Sequence, residues 1–442
     1  MTQMSKPNIM VVVFDTLRYD LFKKFVTYNK QFAKDIIDFT NFDNAYSPSP
    51  WTLPSHMSLF TGLYPSEHGI HETPTSELIN VFKDSLKYSG KYITDIASEQ
   101  GYKTIGFSAN PMISELTGFN LKFDYFETID LLDIQKFKNL HINSNKYVHK
   151  GVSAIGGMKA MLLGFPRNKG YKLVLSKLQQ CELVTPFFLF INFMEAHDPY
   201  FNAYHCYNSR RSLNDLFGLK KISNVGKDRL KNKYYYQIST ISLIINNLIK
   251  FLKDRKMYDN TIIILTADHG QALKEKNYYG HGIYLYDELV RIPLLIKGIN
   301  SSNLINRENS YTSLINVNSF IKSTLMGEEN SERWLLTRKT FSESFGMQHS
   351  KSSLKKYLHT KDAKDRYNRI NILRKALLYE GYKIVINGSN SSIDEFSSYN
   401  GNKIDYDTIL KMVNHLKIFN IDNEFILDSN KIVTEVMKKY GA

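Results

Sequence analysis

Two acidic residues, a histidine and a threonine come from distant parts of the sequence but could form one reaction centre in the folded chain. Asp15 directly follows the apolar run IMVVVF, and Asp268 and His269 come shortly after the run TIIILT. A carboxylate and an imidazole from a single turn suit a divalent cation. Both can reach one ion only if the chain leaves the strand there, and Gly270 eases such a turn. Either acid taken alone is more often an ordinary loop residue, so the metal site is a hypothesis about the whole group.

Thr52 is a further candidate, in the segment WTLPSHMSLFTG (residues 51–62). Pro54 fits the first turn of a helix, and Gly62 can end that helix. Thr52 would then stand at or just before the helix N-terminus, where threonine commonly caps free backbone N–H groups. The same N–H groups and the helix dipole favour an anionic oxygen, so Thr52 could instead be a nucleophile activated by a metal ion. The segment alone favours the cap.

Four apolar runs have the character of strands buried on both faces, and each leads to a polar residue. They are residues 9–14, 104–107, 187–193 and 261–266, and they lead to Asp15, Asn110, His197 and Asp268. Between the last two runs, Ile and Leu residues recur at helical spacing from residue 238 to residue 252. Strands alternating with helices predict a doubly wound α/β sheet. The carboxyl ends of parallel strands meet at one edge, so these polar residues could lie side by side.

The C-terminal part of the chain has a different pattern, and we predict a domain of residues 1–338 followed by a smaller domain of residues 339–442. ALLYEGYKIVI (residues 376–386) indicates a hairpin and residues 406–419 an amphipathic helix, which suggests antiparallel strands with a helix. Residues 387–402 are rich in Asn, Ser and Gly, as in a loop. The basic residues 209–236 suggest either a surface lid or a solvated loop.

Composition limits the class of protein. The chain has 442 residues, of which 43% are hydrophobic, and a formal net charge of +14. Positive charge favours anionic partners, or it serves only solubility. Two cysteines are too few for a disulfide framework, and no apolar run reaches the length of a membrane span. The first residues lack the apolar core of a signal peptide, so we expect a cytoplasmic protein. Charge without a recognition motif makes nucleic-acid binding an unfavoured interpretation, and the oligomeric state stays open.

Four long blocks resemble the sulfatase branch of the alkaline phosphatase superfamily and occur in that family's order. They are PNIMVVVFDTLRYD, SPWTLPSHMSLFTGLYPSEHG, FINFMEAHDPY and TIIILTADHGQALKEKNYYGHGIYLYDELVRIPLLIKG, and they cover most of residues 7–298. The resemblance implies an alkaline-phosphatase-like doubly wound mixed sheet with a smaller C-terminal α+β subdomain. It also implies a metal-assisted nucleophile that attacks sulfur or phosphorus and forms a covalent intermediate.

The position of the nucleophile departs from the usual sulfatase pattern. Sulfatases use a formylglycine made from Cys or Ser within Cys/Ser-x-Pro-x-Arg, and here these positions hold Thr52, Pro54 and His56. Threonine is not a substrate for formylglycine formation, so no formylglycine is expected and Thr52 would attack directly. Relatives with an unmodified threonine nucleophile, such as lipoteichoic acid synthase and phosphoethanolamine transferases, act on phosphodiesters with one divalent ion. This departure favours phosphorus over sulfur.

The resemblance also implies roles for individual residues. One divalent ion would be held by Asp15, Thr52, Asp268 and His269. Thr16 stands where many sulfatases have a further acid, so Mn²⁺, Zn²⁺ or Mg²⁺ fits at least as well as Ca²⁺.

Histidines and one asparagine complete the expected site. His197 and His281 would hold the substrate's non-bridging oxygens or protonate the leaving group. Asn110 is a candidate for substrate binding. His56 would contact the substrate or orient Thr52, or it only caps the helix. Arg18 is expected to be a structural ion-pair partner.

The sequence thus predicts a metal-dependent hydrolase that acts on phosphate or sulfate esters through Thr52. Its substrate would be an anionic ester of a small molecule, a glycan or a lipid. A transferase that moves a phospho-alcohol group onto a glycan or lipid is the first alternative, and its product would depend on an acceptor. A non-catalytic binding protein on the same fold is the second, and it would tolerate loss of Thr52.

Overall fold

The computed structural model describes residues 6–71, 90–129, 169–198, 200, 224–304, 310–347, 354–355, 357–419 and 425–441. The strands of the described part are β1 Asn8–Phe14, β2 Phe39–Asn41, β3 Ala45–Tyr46, β4 Lys103–Ser108, β5 Tyr125–Thr128, β6 Phe187–Phe193, β7 Thr261–Thr266, β8 Ala272–Leu273, β9 Tyr279–Gly280, β10 Leu294–Lys297, β11 Thr312–Ser313, β12 Lys339–Ser344, β13 Arg374–Tyr379, β14 Tyr382–Asn387 and β15 Ile393–Ser398. Its α-helices are α1 Tyr19–Tyr28, α2 Lys30–Asp35, α3 Thr52–Thr61, α4 Pro65–His68, α5 Ile93–Glu99, α6 Tyr171–Gln180, α7 Asn224–Asp254, α8 Asp287–Val290, α9 Leu314–Leu325, α10 Lys361–Ile370, α11 Tyr406–Phe419 and α12 Ser429–Tyr440.

A mixed sheet forms the centre of the molecule, and the prediction of a doubly wound α/β fold is confirmed. Within the described residues its strand order is β2-β10-β7-β1-β6-β4-β5. Strands β7, β1, β6, β4 and β5 run parallel, whereas β10 and β2 at one edge are antiparallel to their neighbours. Every residue of β1, β6 and β7 is buried. Burial on both faces explains why these strands appear in the sequence as nearly continuous apolar runs.

The longest helix, α7, packs its predicted apolar stripe into the core of this sheet. Its Ile and Leu residues at positions 238, 241, 245, 248 and 252 are almost completely buried. The helix begins earlier than expected, because residues 224–236 form its first turns rather than a lid or loop. Residues 209–223 of that predicted segment lie outside the described residues. No helix in the described part of the chain is both long enough and apolar enough to cross a membrane.

The C-terminal region contains an antiparallel sheet in the order β12-β13-β14-β15, backed by α11 and α12. The predicted hairpin is β13 and β14, and the predicted helix over 406–419 is α11. The prediction of a loop over 387–402 was wrong for Ile393–Ser398, which pairs with β14 as strand β15. The region also has more helix than expected, since α10 and α12 accompany α11. A domain boundary between residues 338 and 339 stays a prediction.

Strand β12 ties this second sheet to the segment that leads into α3. The Ser342 hydroxyl donates to the Ser47 carbonyl at 2.6 Å, and the Glu343 N–H donates to the Pro48 carbonyl at 2.8 Å. The buried Glu343 carboxylate also accepts a hydrogen bond from the Ser66 N–H, just past α3, at 2.8 Å. The C-terminal sheet therefore helps to fix both ends of the helix that begins with Thr52.

Candidate active site

Thr52 is the first residue of α3, and its side chain does not cap the helix. Trp51 occupies the cap position, and the helix ends at Gly62 in the left-handed conformation, with φ +77°. The Thr52 hydroxyl oxygen lies 3.3 Å from Asp15 Oδ2 and 3.3 Å from His269 Nε2. The N-terminal end of α3 is thus directed at the acids rather than closed by its own threonine.

Asp15, Asp268 and His269 come together at the carboxyl end of two neighbouring parallel strands. Their ligand atoms all lie within 4.8 Å of one another, and all three residues are buried. The register of β1 and β7 explains this, because Val13 pairs with Thr266 and both chains leave the sheet at the same edge. The sequence-based expectation that distant acids meet at this edge therefore agrees with the geometry.

The chemistry of this cluster fits a divalent cation. Among the described residues, the buried oxygens Asp15 Oδ1 and Asp268 Oδ2 have no hydrogen-bond donor. Burial raises the pKa of Asp15 to about 6 and that of Asp268 to about 7, so two negative charges are poorly tolerated without a cation. The His269 Nδ1–H donates to the Gly270 carbonyl at 2.8 Å, which leaves the Nε2 lone pair for a ligand bond. Burial lowers the pKa of His269 to about 4, so its imidazole is neutral and ready to bind.

Metal binding should therefore release protons and weaken as the pH falls. Asp15 and Asp268 carry more protons below pKa values of about 6 and 7, and a cation needs both carboxylates ionised. We expect the apparent affinity for Mn²⁺ to fall by about tenfold or more for each pH unit below 6. Isothermal titration calorimetry between pH 5 and 8, in buffers with different ionisation enthalpies, measures both quantities. A pH-independent affinity without proton release would contradict this electrostatic account.

The turn after Asp15 is strained. Thr16 has φ +61°, which is rare for a β-branched residue and costs about 1–3 kcal/mol. In this conformation its backbone N–H donates to Asp268 Oδ1 at 3.1 Å, and the His269 N–H donates to the same oxygen at 2.8 Å. The two N–H groups thus fix Asp268 Oδ1, whereas Asp268 Oδ2 accepts no hydrogen bond from the described residues.

Gly270 is required because another backbone approaches it closely. A Cβ at this position would lie 2.1 Å from the Glu288 carbonyl oxygen, and the Gly270 N–H donates to the Leu289 carbonyl at 2.8 Å. Freedom to turn out of the strand, the role expected from the sequence, is therefore not the main requirement. The contact fixes the path of the chain directly after His269.

Gly270→Ala should consequently destabilise the protein by about 1–3 kcal/mol and weaken Mn²⁺ binding, because the chain must move away from the Glu288 carbonyl. Denaturant unfolding and calorimetry measure the two effects. Gly101→Ala is the matched control: its Cβ would meet nothing within 4 Å, although φ is +78°. We expect about 1 kcal/mol of destabilisation there and unchanged Mn²⁺ affinity. Unchanged affinity in Gly270→Ala would show that the close approach does not position His269.

Asn110 contacts an acid of the cluster. It follows β4, its Nδ2 donates to Asp15 Oδ2 at 2.5 Å, and its Oδ1 accepts from the Met112 N–H at 2.8 Å. The amide therefore holds the Asp15 carboxylate in place. Contact between Asn110 and a substrate stays a prediction.

His56 lies behind the Thr52 backbone and is 1% exposed. Its Nδ1 donates to the Thr52 carbonyl at 2.8 Å, and its Nε2 accepts from Asn192 Nδ2 at 3.1 Å. Burial lowers the pKa of His56 to about 4, so the ring is neutral. With both nitrogens engaged by the chain, this geometry favours orientation of Thr52 over contact with a substrate.

His197 and His281 stand beside the cluster, as their place in the sequence predicted. Their ring centroids are 5.3 Å apart, and the His281 ring is 4.6 Å from that of His269. The His197 Nδ1 contacts the Asp198 carbonyl at 2.5 Å. Burial alone would lower the pKa of His197, but the charges of Asp15 and Asp198 outweigh it and raise that pKa. His197 is therefore suited to keep a proton for donation.

Some supporting residues were not identified from the sequence. Gln271 Oε1 lies 2.7 Å from His281 Nδ1, and Lys169 Nζ contacts the carbonyls of Glu195 and His197. Gln271 had a local signal, since it directly follows Asp268-His269-Gly270. Lys169 lies far from every quoted block, so only the fold brings it to the His197 loop.

Known proteins resemble this chain in both sequence and fold. The family model "Sulfatase" matches residues 7–325. An arylsulfatase of Clostridium perfringens is 24% identical over 343 residues, covering 66% of this chain and 68% of that protein. An ulvan-active sulfatase of Formosa agariphila is 23% identical, covering 68% of this chain and 58% of its own length. The solved structure of a phosphonate monoester hydrolase of Agrobacterium radiobacter shares the fold, with a TM-score of 0.59, 13% identity and 89% coverage of each chain.

Proposed function

Because this chain belongs to the sulfatase family of ester hydrolases, we propose that it hydrolyses phosphate or sulfate esters with Thr52 as the nucleophile and one divalent cation. The observation that carries the proposal is the place of the Thr52 hydroxyl oxygen, 3.3 Å from both Asp15 Oδ2 and His269 Nε2. A cation bound to Asp15 and His269 would lie close enough to this hydroxyl to activate it.

The chain's own groups account for the other parts of the reaction. The Thr52 hydroxyl loses its proton to solvent, its oxygen attacks phosphorus or sulfur, the bond to the leaving oxygen breaks, and a covalent ester forms at Thr52. His197 or His281 donates a proton to the leaving oxygen. Water then cleaves the threonine ester and regenerates the hydroxyl. A bound divalent ion would lower the pKa of the hydroxyl and offset the developing negative charge.

The ligand set supports Mn²⁺, Zn²⁺ or Mg²⁺ at least as well as Ca²⁺. Asp15, Asp268 and the Thr52 hydroxyl would supply oxygen, and His269 would supply one nitrogen. Calcium sites in proteins usually consist of six to eight oxygens, whereas imidazole suits transition metals. Thr16 offers no carboxylate where many sulfatases have one.

Two considerations bear on the substrate, and they point in different directions. Threonine cannot become formylglycine, which supports a phosphate ester or diester. The relatives named arylsulfatase and ulvan-active sulfatase support a sulfate ester, including one on a glycan. We favour a phosphate ester because the residue that differs from the usual sulfatase pattern, Thr52, is the nucleophile itself.

The test is a panel of an aryl phosphate, an aryl phosphodiester, an aryl sulfate and a sulfated glycan. Each is assayed with Mn²⁺, Zn²⁺, Mg²⁺ or Ca²⁺ added to protein stripped with a chelator. We expect metal-dependent turnover in which a phosphate ester or diester reacts fastest. Turnover of sulfate esters alone would refute the preference for phosphorus. Product that forms only with an added acceptor alcohol would instead identify a transferase.

A further inference from the structure

A tyrosine from α7 holds the strained turn of the candidate metal site from behind. Tyr234 is completely buried. Its hydroxyl donates to the Thr16 carbonyl at 2.7 Å and accepts from the Arg18 N–H at 2.7 Å. One hydroxyl group thus bridges the two sides of the turn that follows Asp15, although 216 residues separate Tyr234 from Arg18 in the sequence.

The turn that Tyr234 holds connects two of the candidate ligands. Asp15 directly precedes it, and the N–H of Thr16 donates to Asp268 Oδ1 at 3.1 Å. Thr16 makes this contact while its backbone adopts φ +61°. A threonine released from external contacts would favour negative φ, since its Cβ collides with its own backbone in the left-handed region. A change of Thr16 to negative φ would rotate its N–H relative to its carbonyl, and so would weaken the hydrogen bond to Asp268 or shift the backbone of Asp15.

The surroundings of the turn provide a rigid frame. The buried Arg18 guanidinium pairs with Asp20 at 2.7 Å and with Glu275 at 2.9 Å, as expected of a structural ion-pair partner. Arg18 Nη1 also contacts the Gln271 carbonyl at 3.3 Å. These contacts fix the chain after the turn, whereas Tyr234 bonds the Thr16 carbonyl itself.

We propose that Tyr234 is a positioning residue that presets the metal site by holding Thr16 in its left-handed conformation. The inference rests on the proposed function only in taking Asp15 and Asp268 as ligands of a divalent cation. Tyr234 is not proposed to touch metal or substrate. Its effect reaches the ligands through the backbone of Thr16, whose carbonyl bonds Tyr234 and whose N–H bonds Asp268, so it should alter metal affinity more than the rate at saturating metal.

Tyr234→Phe removes only the hydroxyl and tests the proposal. We expect Mn²⁺ to bind about tenfold more weakly, the usual scale for loss of a hydrogen bond that supports a metal ligand. Isothermal titration calorimetry of the complete, metal-stripped chain gives the affinity without reference to turnover. Thermal unfolding of the metal-free protein measures any general loss of stability separately.

A second substitution should rescue the first. Glycine adopts φ +61° without steric strain, so Thr16→Gly makes the left-handed turn independent of the Tyr234 hydroxyl. In the Tyr234→Phe background, Thr16→Gly should return Mn²⁺ affinity to within about threefold of wild type. In the wild-type background, Thr16→Gly alone should change affinity by less than about threefold, because Tyr234 already holds the turn.

Tyr258→Phe is the matched control. Its hydroxyl donates to Asp38 at 3.0 Å, in a partly buried contact away from the acid cluster. We expect this variant to lower the melting temperature and to leave Mn²⁺ affinity unchanged.

Several results would overturn the proposal. One is a lower melting temperature of Tyr234→Phe with unchanged Mn²⁺ affinity, which would indicate a purely structural tyrosine. Another is failure of Thr16→Gly to restore affinity in the double variant. If Tyr234→Phe does not fold, the double variant decides: near-wild-type affinity supports the proposal, and weak affinity or failure to fold refutes it.

Two further results separate this inference from the proposed function. A large loss of Mn²⁺ affinity in Thr16→Gly alone would refute the proposed role of Tyr234, because it would indicate that the Thr16 hydroxyl is itself a ligand. The proposed ester hydrolase activity would not be affected by that result. Wild-type protein that binds no divalent cation would refute both proposals before any variant is made.

Discussion

Thr52→Ala should lower kcat/KM by at least about a thousandfold, because it removes the oxygen that forms the covalent ester. The loss should not come from misfolding. Thr52 is 4% exposed and is not the helix cap, since Trp51 occupies that position. Alanine is also a good helix former. Steady-state kinetics on the fastest substrate of the panel, with circular dichroism of both proteins, measure the effect.

Thr52→Ser is the matched control, since it keeps the hydroxyl and removes only a methyl group. It should retain activity within about a hundredfold of wild type and should form a serine ester that mass spectrometry detects after a rapid acid quench. The same quench should detect a threonine ester in the wild type. Full activity of Thr52→Ala would support a non-catalytic role of this residue and would return the interpretation to a structural threonine.

Asp268→Asn should have opposite effects on metal binding and on stability. We expect Mn²⁺ affinity and turnover to fall by about a hundredfold or more, because a charged ligand is lost. The metal-free protein should at the same time become more stable, since burial raises the pKa of Asp268 to about 7. A raised pKa means that the ionised carboxylate destabilises the fold without a cation. Calorimetry and thermal unfolding of metal-free samples measure both effects.

The pKa of Asp268 also determines how the stability gain of Asp268→Asn changes with pH. Below about pH 4 the carboxyl is protonated in both folded and unfolded chains, so asparagine should bring no gain. Between pH 4 and the folded-state value of about 7, wild type loses stability progressively as the pH rises, relative to the variant. The variant should therefore melt a few degrees higher at pH 8, with a smaller difference at pH 5.

Asp124→Asn is the control with the opposite expectation. Asp124 accepts hydrogen bonds from the Thr104 N–H at 2.8 Å and the Thr104 hydroxyl at 3.1 Å. Its pKa is lowered despite some burial, because these hydrogen bonds and the charge of Lys103 favour the ionised form. The substitution should slightly destabilise the protein at neutral pH and leave Mn²⁺ affinity unchanged. A metal-free Asp268→Asn protein that is less stable than wild type at pH 8 would contradict the assignment of Asp268 as an uncompensated charge.

The central fold could be predicted because its strands are buried on both faces. Strands β1, β6 and β7 are nearly continuous apolar runs, which lack the polar–apolar alternation of half-exposed strands. β15 was missed because it lies at an edge of the second sheet and its only apolar residues, Ile393 and Phe396, are three positions apart and so show no strand alternation. The start of α7 was missed because its first turns are rich in basic and polar residues, among which the buried positions Leu230 and Tyr234 do not stand out.

The meeting of Asp15 with Asp268 and His269 was predictable for a topological reason. Parallel neighbours end at one edge, so residues that follow β1 and β7 come together whatever their distance in sequence. The partners of these residues were not predictable. The left-handed Thr16 turn and the contact between Asn110 and Asp15 depend on tertiary packing, to which local sequence gives no access.

Other expectations from the sequence stay predictions. They are the catalytic roles of Thr52, His197 and His281, the cytoplasmic location and the class of ester that is cleaved. The ligand geometry, by contrast, can be tested without any substrate.

Anomalous X-ray diffraction from crystals grown with Mn²⁺ tests the central claim most directly. The account predicts one strong peak within about 2.0–2.6 Å of a carboxylate oxygen of Asp15, a carboxylate oxygen of Asp268 and His269 Nε2, with the Thr52 oxygen at coordination distance. A peak elsewhere, or a peak at this cluster with the Thr52 oxygen beyond about 4 Å, would contradict it.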